Sequence, residues 1–397
     1  MPHGFRPNRL AAIDRFLKER YVEADKLPGT LLLVARGGEV AATMVAGHAD
    51  VALARPLAED TIFRIYSMTK PVTSVAILML LEEGRIALDD PVHRFIPGWR
   101  DLRVFEGGTA KTGWVTRAPD RAMTVLDLLR HTAGLTYGFQ LRTNVDAAYR
   151  QKGLGEIEKS GTLAGMIEAL ASIPLEFSPG EAWNYSVATD VLGHLVEVVS
   201  GMPFAQFLEE RIFAPVGMVD TGFHVRPGEG RRLATCYQPK KGGGIAVQDQ
   251  AETSSFLSPP SFVSGGGGLV GTAADYLALV ESLRTNAHDL LGRRTMALMT
   301  ANHLPGGQDL PALSRSLFSE AGYAGVGFGL GVATTTDWVK TGLPGNNGDW
   351  FWGGAASTFF WCDPAEELSV VFMTQLIPSS TYPVRRELRQ MLYAALA

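Results

Sequence analysis

Residues 63–73 read FRIYSMTKPVT and lead directly into a strongly apolar segment. Apolar residues recur at helical spacing from this stretch onward: Met68, Val72, Val75, Ala76, Met79 and Leu80. Pro71 is tolerated only near a helix start, because the first N–H groups of a helix have no partner inside it. The pattern therefore predicts a helix that begins at or just after Ser67. Lys70 follows three residues later on the same face.

This placement brings together the groups that nucleophilic catalysis requires. The Ser67 hydroxyl and the Lys70 amine are within reach of each other, beside backbone N–H groups at the positive end of a helix dipole. Such a serine can lose its proton to the lysine, while main-chain donors hold an oxyanion. The pattern S-x-x-K is short, so its meaning depends on the segments that accompany it.

Composition limits the classes of function. The chain has 397 residues, 46% of them hydrophobic and 19% charged, with a formal net charge of −5. This describes an ordinary globular protein with one large composite domain or two domains. Without a Lys/Arg run, neither nucleic acid nor an anionic membrane is an expected partner. The longest apolar stretch, residues 75–81, is too short to span a bilayer.

The N-terminus lacks the charged-then-apolar layout of a secretory signal, which predicts a cytoplasmic protein unless a leader has been removed. Nothing supports a disulfide between Cys236 and Cys362, the two cysteines of the chain. Neither lies in a zinc-binding pattern, and the Gly265–Gly268 run lacks the Lys-Ser/Thr of a nucleotide loop. No metal or organic cofactor is expected.

The order of patterns predicts an α+β fold. Residues 9–24 read as an amphipathic helix, and residues 30–35 and 39–46 as a hairpin. Helical patterns dominate residues 123–218, and strands return at 327–336, 357–362 and 368–375 before a helix at 382–396. We expect one antiparallel sheet built from both termini and flanked by the terminal helices. The predicted domains are 1–75 with 216–397, and an inserted all-helical domain at 76–215.

Two further segments supply candidate site residues. Tyr185 follows a Pro-Gly turn and precedes a helix, a position that suits a second proton carrier projecting into a cleft. The alternative is a buried tyrosine with a satisfied hydroxyl. In residues 352–355, WGGA, two glycines let a substrate approach the backbone, and an edge strand there could offer an N–H to an oxyanion. The alternative for this segment is a plain turn.

Several stretches, in this order, resemble the serine β-lactamase and penicillin-binding-protein superfamily. They are Ser67–Lys70, residues 126–135 (LDLLRHTAGL), 177–186 (FSPGEAWNYS), 264–275 and 352–355. Within the superfamily the chain looks most like the family VIII carboxylesterases, which share the class C β-lactamase fold. The resemblance implies a Ser67 nucleophile, Lys70 and Tyr185 as the proton-transfer pair, and an oxyanion hole from the N–H groups of Ser67 and Ala355.

The chain departs from the lactamase pattern at two places. Tyr185-Ser186-Val187 replaces Tyr-x-Asn, which removes an amide that could bind a substrate amide. Trp352-Gly353-Gly354 replaces Lys-Thr-Gly, so an indole stands where a lysine would bind a substrate carboxylate. Both changes favour neutral esters over anionic amides, with Trp352, Gly353 and Gly354 as substrate-binding residues.

Two other segments do spell Lys-Thr-Gly, at residues 111–113 and 340–342. Neither is expected to lead into a strand, so both are interpreted as loops. Aromatic residues near the motifs are candidates for the pocket lining: Tyr137, Phe139, Trp350, Phe351 and Trp352.

The sequence therefore predicts a serine carboxylesterase that acts on a small, neutral, short-chain ester. Neutral Lys70 or the Tyr185 phenolate accepts the Ser67 proton, and the sequence leaves that choice open. The rival functions are a β-lactamase or D,D-peptidase, an acyltransferase that uses the same acyl-enzyme, and a non-catalytic receptor that is merely acylated. The natural substrate and the oligomeric state are not predicted.

Overall fold

The computed structural model describes residues 2–157, 160–315 and 322–397. Its strands are β1 (Gly29–Arg36), β2 (Glu39–Asp50), β3 (Arg55–Pro56), β4 (Phe63–Arg64), β5 (Val104–Thr109), β6 (Gly113–Arg117), β7 (Cys236–Pro239), β8 (Ile245–Asp249), β9 (Val270–Gly271), β10 (Val326–Phe328), β11 (Ala333–Thr335), β12 (Trp350–Gly353), β13 (Phe359–Asp363) and β14 (Leu368–Met373). Its α-helices are α1 (Pro7–Leu17), α2 (Thr69–Glu82), α3 (Val125–Leu129), α4 (Asn144–Gln151), α5 (Leu163–Leu170), α6 (Ala188–Ser200), α7 (Phe204–Leu208), α8 (Ala214–Val216), α9 (Ala273–Thr285), α10 (Arg293–Thr300), α11 (Leu310–Leu313), α12 (Trp338–Thr341) and α13 (Val384–Ala395).

An eight-stranded antiparallel sheet joins the two ends of the chain. Its strand order is β10-β11-β12-β13-β14-β1-β2-β3. The terminal segments meet where β1 pairs with β14, in register from Leu31 opposite Met373 to Arg36 opposite Leu368. Every residue of β14, and every residue of β1 except Arg36, is buried, so both faces of the sheet centre are covered. The predicted α+β sheet built from both termini is confirmed.

Helices from both ends of the chain cover this sheet. The N- and C-terminal helices α1 and α13 pack together, and the Arg6 N–H donates to the Ala395 carbonyl at 2.9 Å. Helix α9 packs against β1 and β14. Helix α2 packs against α6, and all of its residues from Thr69 to Leu80 are buried. A helix buried on all sides is held rigidly by its neighbours, and α2 begins two residues after Ser67.

Some sequence predictions need correction. The single strand predicted at residues 327–336 is two short strands, β10 and β11, because the chain turns between them at Gly331, which has a φ of +89°. The helical insertion also carries the hairpin β5–β6. Most residues of this hairpin are partly or fully exposed, so no alternation of apolar and polar residues announced it.

The two Lys-Thr-Gly segments also differ from expectation. Lys111 and Thr112 form the turn of that hairpin and Gly113 begins β6, so the prediction that this segment does not lead into a strand is wrong. Lys340 and Thr341 lie in the one-turn helix α12, not in a loop. The boundaries proposed for two domains remain a prediction.

In the part of the chain that the structure describes, no single helix is long and apolar enough to cross a bilayer. Only the pair Ala188–Ser200 and Phe204–Val216, bent by 84°, meets the length and composition criteria jointly.

Candidate active site

Ser67 lies at the centre of the candidate site, in the link between β4 and α2. Residues Tyr66–Met68 form one 3₁₀ turn, and α2 follows at Thr69, as the sequence predicted. Tyr66 has a φ of +43°, a left-handed conformation that is unusual for a non-glycine residue and re-aims the chain just before the serine. Pro71 falls in the first turn of α2, where its missing N–H leaves no gap in the helix.

Lys70 is placed next to the serine by the helix geometry. Its Nζ lies 3.2 Å from Ser67 Oγ and donates a 2.6 Å hydrogen bond to the carbonyl of Gly266. The side chain is fully buried, and burial lowers the pKa of the Lys70 amine to about 7, although the negative charge of Asp190 opposes that shift. A substantial share of Lys70 is therefore neutral near pH 7, when it can accept a proton.

Tyr185 closes the site from the other side. Its ring centroid is 4.5 Å from Lys70 Nζ, and its hydroxyl accepts a hydrogen bond from Trp352 Nε1 at 3.4 Å. Burial raises the pKa of the Tyr185 hydroxyl, and hydrogen bonds to Ser67 and Trp352 offset only part of that rise. Tyr185 is therefore a phenol at neutral pH, and its resting state is a proton donor.

The orientation of Tyr185 is fixed by its neighbours in the fold. Gln140 Nε2 donates to the Tyr185 carbonyl at 2.5 Å, and the neighbouring Asn184 side chain donates to the Leu135 carbonyl at 2.9 Å. The ring centroid of His131, from the 126–135 stretch, lies 5.0 Å from that of Tyr185, and His131 Nδ1 is 3.1 Å from Ser186 Oγ. These contacts explain why separate sequence motifs meet at one tyrosine.

The backbone around Ala355 approaches the Ser67 segment closely. The Gly354 N–H donates to the Thr358 carbonyl at 2.8 Å, and a Cβ at Gly354 would clash with the carbonyl oxygen of Ile65. Within the described residues, neither the Ser67 nor the Ala355 amide donates to a backbone carbonyl of a turn or loop. Both residues line the same cavity, which is consistent with the predicted oxyanion hole.

The expectation of an edge strand at this segment needs correction. β12 is an interior strand between β11 and β13. However, β11 pairs only with Trp350 and Phe351, which leaves Trp352 and Gly353 paired on the β13 side alone. A short neighbour thus creates a local edge inside the sheet, and the segment opens into the site there.

A cavity of about 260 Å³ opens over Ser67, and seven of the twenty described residues that line it are aromatic. Of the five aromatic residues predicted to line it, Tyr137, Phe139 and Trp352 do so. Trp350 instead packs against Phe360 with ring centroids 5.6 Å apart, and Phe351 lines a separate small cavity. Successive residues of a strand point to opposite faces, which explains why Phe351 does not join Trp352.

The structure adds lining residues that the sequence did not suggest: Tyr66, Trp183, Tyr323 and Arg385. Tyr66 and Trp183 stand within two residues of Ser67 and Tyr185, so proximity to a motif could have indicated them. Arg385 lies on α13, more than 300 residues from Ser67, and had no local signal.

Arg385 bears on the charge of the substrate. Its guanidinium lies against Gly353, stacks 5.2 Å from the Phe359 ring, and is the one cation among the described residues of the lining. Neither Lys111 nor Lys340 lines the cavity in the described part of the chain. Lys340 is exposed and lies 3.6 Å from Asp337.

Comparisons with known proteins bear on the family and the fold of this chain. A model of the Beta-lactamase family matches residues 13–395. Protein Rv1367c of Mycobacterium tuberculosis is 33% identical over 90% of this chain and 88% of its own, and Esterase EstB of Burkholderia gladioli is 32% identical over 97% and 94%. The solved structure of EstCE1, "a hydrolase with promiscuous acyltransferase activity", is 28% identical with a TM-score of 0.81, covering 97% of this chain and 99% of that one. The β-lactamase/transpeptidase-like fold is thereby confirmed.

Proposed function

The chain belongs to the Beta-lactamase family, and on that basis we propose that it is a serine carboxylesterase of the family VIII type. The proposed substrate is a neutral carboxylic ester with a short acyl chain, and the proposed nucleophile is Ser67. Similarity to Esterase EstB supports hydrolysis of an ester, and similarity to EstCE1 supports a hydrolase.

One observation carries the proposal. A buried lysine lies 3.2 Å from the hydroxyl of Ser67, which lines the cavity, and burial brings the pKa of that lysine down to about 7. A general base works best when its pKa is close to the operating pH, because it is then both deprotonated and basic. We therefore assign the base role to neutral Lys70 and not to a Tyr185 phenolate.

Acylation begins when Ser67 Oγ attacks the ester carbonyl and its proton passes to Lys70 Nζ. The carbonyl oxygen becomes an oxyanion held by the N–H groups of Ser67 and Ala355. Removal of one such donor costs about 3–4 kcal/mol of transition-state stabilisation in well-studied hydrolases. Collapse of the intermediate then breaks the bond between the carbonyl carbon and the alcohol oxygen.

Tyr185 supplies the proton that the departing alcohol needs. Its hydroxyl donates to the alkoxide oxygen and regains a proton from the Lys70 ammonium, so the acyl-enzyme forms with Lys70 neutral again. Water then attacks the acyl carbonyl and gives its proton to the same lysine. The bond between the acyl carbon and Ser67 Oγ breaks, the Lys70 ammonium returns the proton to Oγ, and the acid leaves. Every group in these steps belongs to the protein, the substrate or water.

The aromatic residues of the lining support the proposed preference for neutral esters. Trp352 contributes an indole to the cavity wall. Gly353 and Gly354 also line the cavity, but the space where a side chain would stand is taken by Arg385 at Gly353 and by Ile65 and Thr358 at Gly354. Arg385 qualifies this preference, because it supplies a cation at one side of the cavity. A small-molecule substrate, the lack of a nucleic-acid or membrane partner, and a cytoplasmic location remain predictions.

The test is Ser67→Ala, assayed with p-nitrophenyl acetate and butyrate. We expect turnover to fall to the uncatalysed rate and labelling by a fluorophosphonate probe to disappear. Ser74→Ala is the matched control, since Ser74 lies on α2, the helix that follows Ser67, and its hydroxyl has no hydrogen-bond partner among the described residues. Esterase activity retained by folded Ser67→Ala would end the proposal.

An acyltransferase is the second candidate, and the aromatic lining favours it because an apolar wall disfavours water at the acyl-enzyme. EstCE1 combines hydrolysis with acyl transfer, which supports this candidate by similarity. The assay repeats the ester hydrolysis with increasing concentrations of an alcohol and quantifies the new ester against the free acid. Product that is mostly ester at low alcohol concentration would make transfer the main reaction.

The same set of assays distinguishes the remaining candidate functions. Faster turnover of a chromogenic cephalosporin than of any ester would favour a β-lactamase. Stoichiometric acylation of Ser67 without turnover would favour a non-catalytic receptor.

A further inference from the structure

A glycine-rich loop, residues 264–268 (SGGGG), lies against the helix that carries Lys70. Thr73 Oγ1 donates to the Gly265 carbonyl at 2.7 Å, and the Leu269 N–H donates to Thr69 Oγ1 at 3.1 Å. The same loop contains Gly266, whose carbonyl accepts a hydrogen bond from the Lys70 amine. The glycine run, which does not match a nucleotide loop in sequence, is therefore part of the site.

Asp190 holds this loop from the first turn of α6. The carboxylate is fully buried, and its Oδ1 accepts hydrogen bonds from the Gly266 N–H at 3.0 Å and from Ser264 Oγ at 2.5 Å. A Cβ on Gly266 would lie only 2.9 Å from Asp190 Oδ2, and one on Gly265 only 2.6 Å from the Thr189 carbonyl. Glycine is required here because the loop packs directly on the start of α6.

We propose that Asp190 is a positioning residue for Lys70, fixing Gly266 through its N–H and supplying the negative charge that balances the buried amine. The inference rests on the proposed function, in which neutral Lys70 takes the proton of Ser67. Gly266 connects the two groups directly, since its N–H contacts the carboxylate and its carbonyl contacts the amine.

The charge has a definite consequence for basicity. Burial lowers the pKa of Lys70, and Asp190 is the group whose charge raises it again. Without that charge the amine would be neutral over a wider pH range but would be a weaker base. The charge of Asp190 thus affects both the fraction of Lys70 that is neutral and the strength of Lys70 as a base.

The other titratable groups around Lys70 are uncharged at neutral pH. Burial raises the pKa of both Tyr137 and Tyr185, and burial together with the Lys70 charge holds the pKa of His131 well below its usual value. Ser67 and Gly266 complete the surroundings without a charge. A change of charge at position 190 is therefore expected to dominate any shift in the titration of Lys70.

The experiment compares Asp190→Asn, Ser264→Ala and Asp275→Asn with the wild-type protein from pH 5 to 9. Asparagine can still accept hydrogen bonds from Ser264 and Gly266 but lacks the charge. Ser264→Ala removes one hydrogen bond and keeps the charge. Asp275 is the matched control, since its buried carboxylate likewise accepts from a hydroxyl, of Thr221, and from an N–H, of Asp220, each at 2.8 Å.

Two readouts are taken at each pH, kcat/KM for p-nitrophenyl acetate and the rate of Ser67 labelling by a fluorophosphonate. In each profile the rate falls towards low pH as Lys70 becomes protonated, and we call this part the acid limb. For Asp190→Asn we expect the acid limb to move about one pH unit lower. The ratio of the rate at pH 5.5 to the rate at pH 8.5 should then rise approximately tenfold. The plateau rate falls. Ser264→Ala lowers the rate evenly at every pH, and Asp275→Asn leaves the limb in place.

A limb that stays in place or moves higher in folded Asp190→Asn would overturn the proposal. If that variant does not fold, Asp190→Glu serves instead, because it keeps the charge and displaces Gly266. It should lower kcat with an unmoved limb, and a tenfold shift of its limb would contradict the inference. Wild-type protein that turns over no ester would refute the esterase function alone, because the labelling profile tests Asp190 independently.

Discussion

Gly354→Ala tests the oxyanion hole without touching Ser67, Lys70 or Tyr185. Gly354 lies between the end of β12 and Ala355, and its N–H donates to the Thr358 carbonyl at 2.8 Å. An added Cβ would clash with the carbonyl oxygen of Ile65 and with Thr358 Oγ1. Because one contact is backbone and cannot rotate away, the segment must move. The Ala355 N–H then moves away from Ser67.

The expected magnitude follows from the role assigned to that N–H. Loss of one oxyanion donor lowers kcat by about 10²–10³, or about 3–4 kcal/mol. KM should change little, because an oxyanion forms only in the transition state and the aromatic wall that binds the ester stays in place. The inserted methyl group also strains a packed region, which costs about 1–3 kcal/mol of folding free energy.

The assay is kcat and KM with p-nitrophenyl acetate at 25 °C, with thermal unfolding measured in parallel. Gly98→Ala is the control, because Gly98 is exposed and a Cβ there would meet no atom within 4 Å. A folded Gly354→Ala protein with kcat within threefold of wild type would refute the assignment of Ala355. A loss of kcat in Gly98→Ala as large as that in Gly354→Ala would show that the assay reports general damage.

Three further predictions concern single side chains. Lys70 must be neutral to act as a base, and its pKa is lowered to about 7, so kcat/KM should rise about tenfold per pH unit below that value and level off above it; a limb near the ordinary lysine pKa would contradict this. Tyr185→Phe should lower kcat by about 10²-fold or more for an ester with a poor alcohol leaving group, whereas Tyr382→Phe, the control, should not. A near-normal kcat in Tyr185→Phe would remove Tyr185 from the mechanism. Arg385→Gln should leave kcat/KM for p-nitrophenyl acetate within threefold of wild type. For an ester with a terminal carboxylate it should lower kcat/KM at least fivefold, because one charge-assisted hydrogen bond of about 1.5 kcal/mol or more is lost. Arg386→Gln is the control, and equal losses of kcat/KM on the two esters would mean that Arg385 serves packing.

Local patterns predicted the elements of this fold well where helices or strands are apolar and long. The helix after Ser67, the hairpin of β1 and β2 and the terminal helix α13 lie close to their predicted positions. The exposed hairpin β5–β6 and the break between β10 and β11 were missed. An exposed strand lacks the alternation of apolar and polar residues that marks a half-buried strand. A turn within an apolar run depends on the conformation of one glycine. Neither feature therefore produces a clear periodicity of hydrophobic residues in the sequence.

Residues of the site fall into the same two groups. Ser67, Lys70 and Tyr185 stand in motifs that the sequence displays, and the structure brings them together around one cavity. Asp190 and Arg385 stand in ordinary helical sequence and reach the site only through packing. A single sequence carries no signal for such contacts, because they join segments that are remote along the chain.

The sequence by itself determined the family resemblance, the α+β class and the serine–lysine pair, since each rests on short local patterns and on their order along the chain. Only the tertiary structure decided how basic Lys70 is, how Ala355 approaches Ser67 at the local edge of β12, and which charges face the cavity. The physical reason is that burial and electrostatic fields are set by whatever surrounds a group in space. For Lys70 those surroundings come from residues 131, 137, 185, 190 and 266, which no local pattern places beside it.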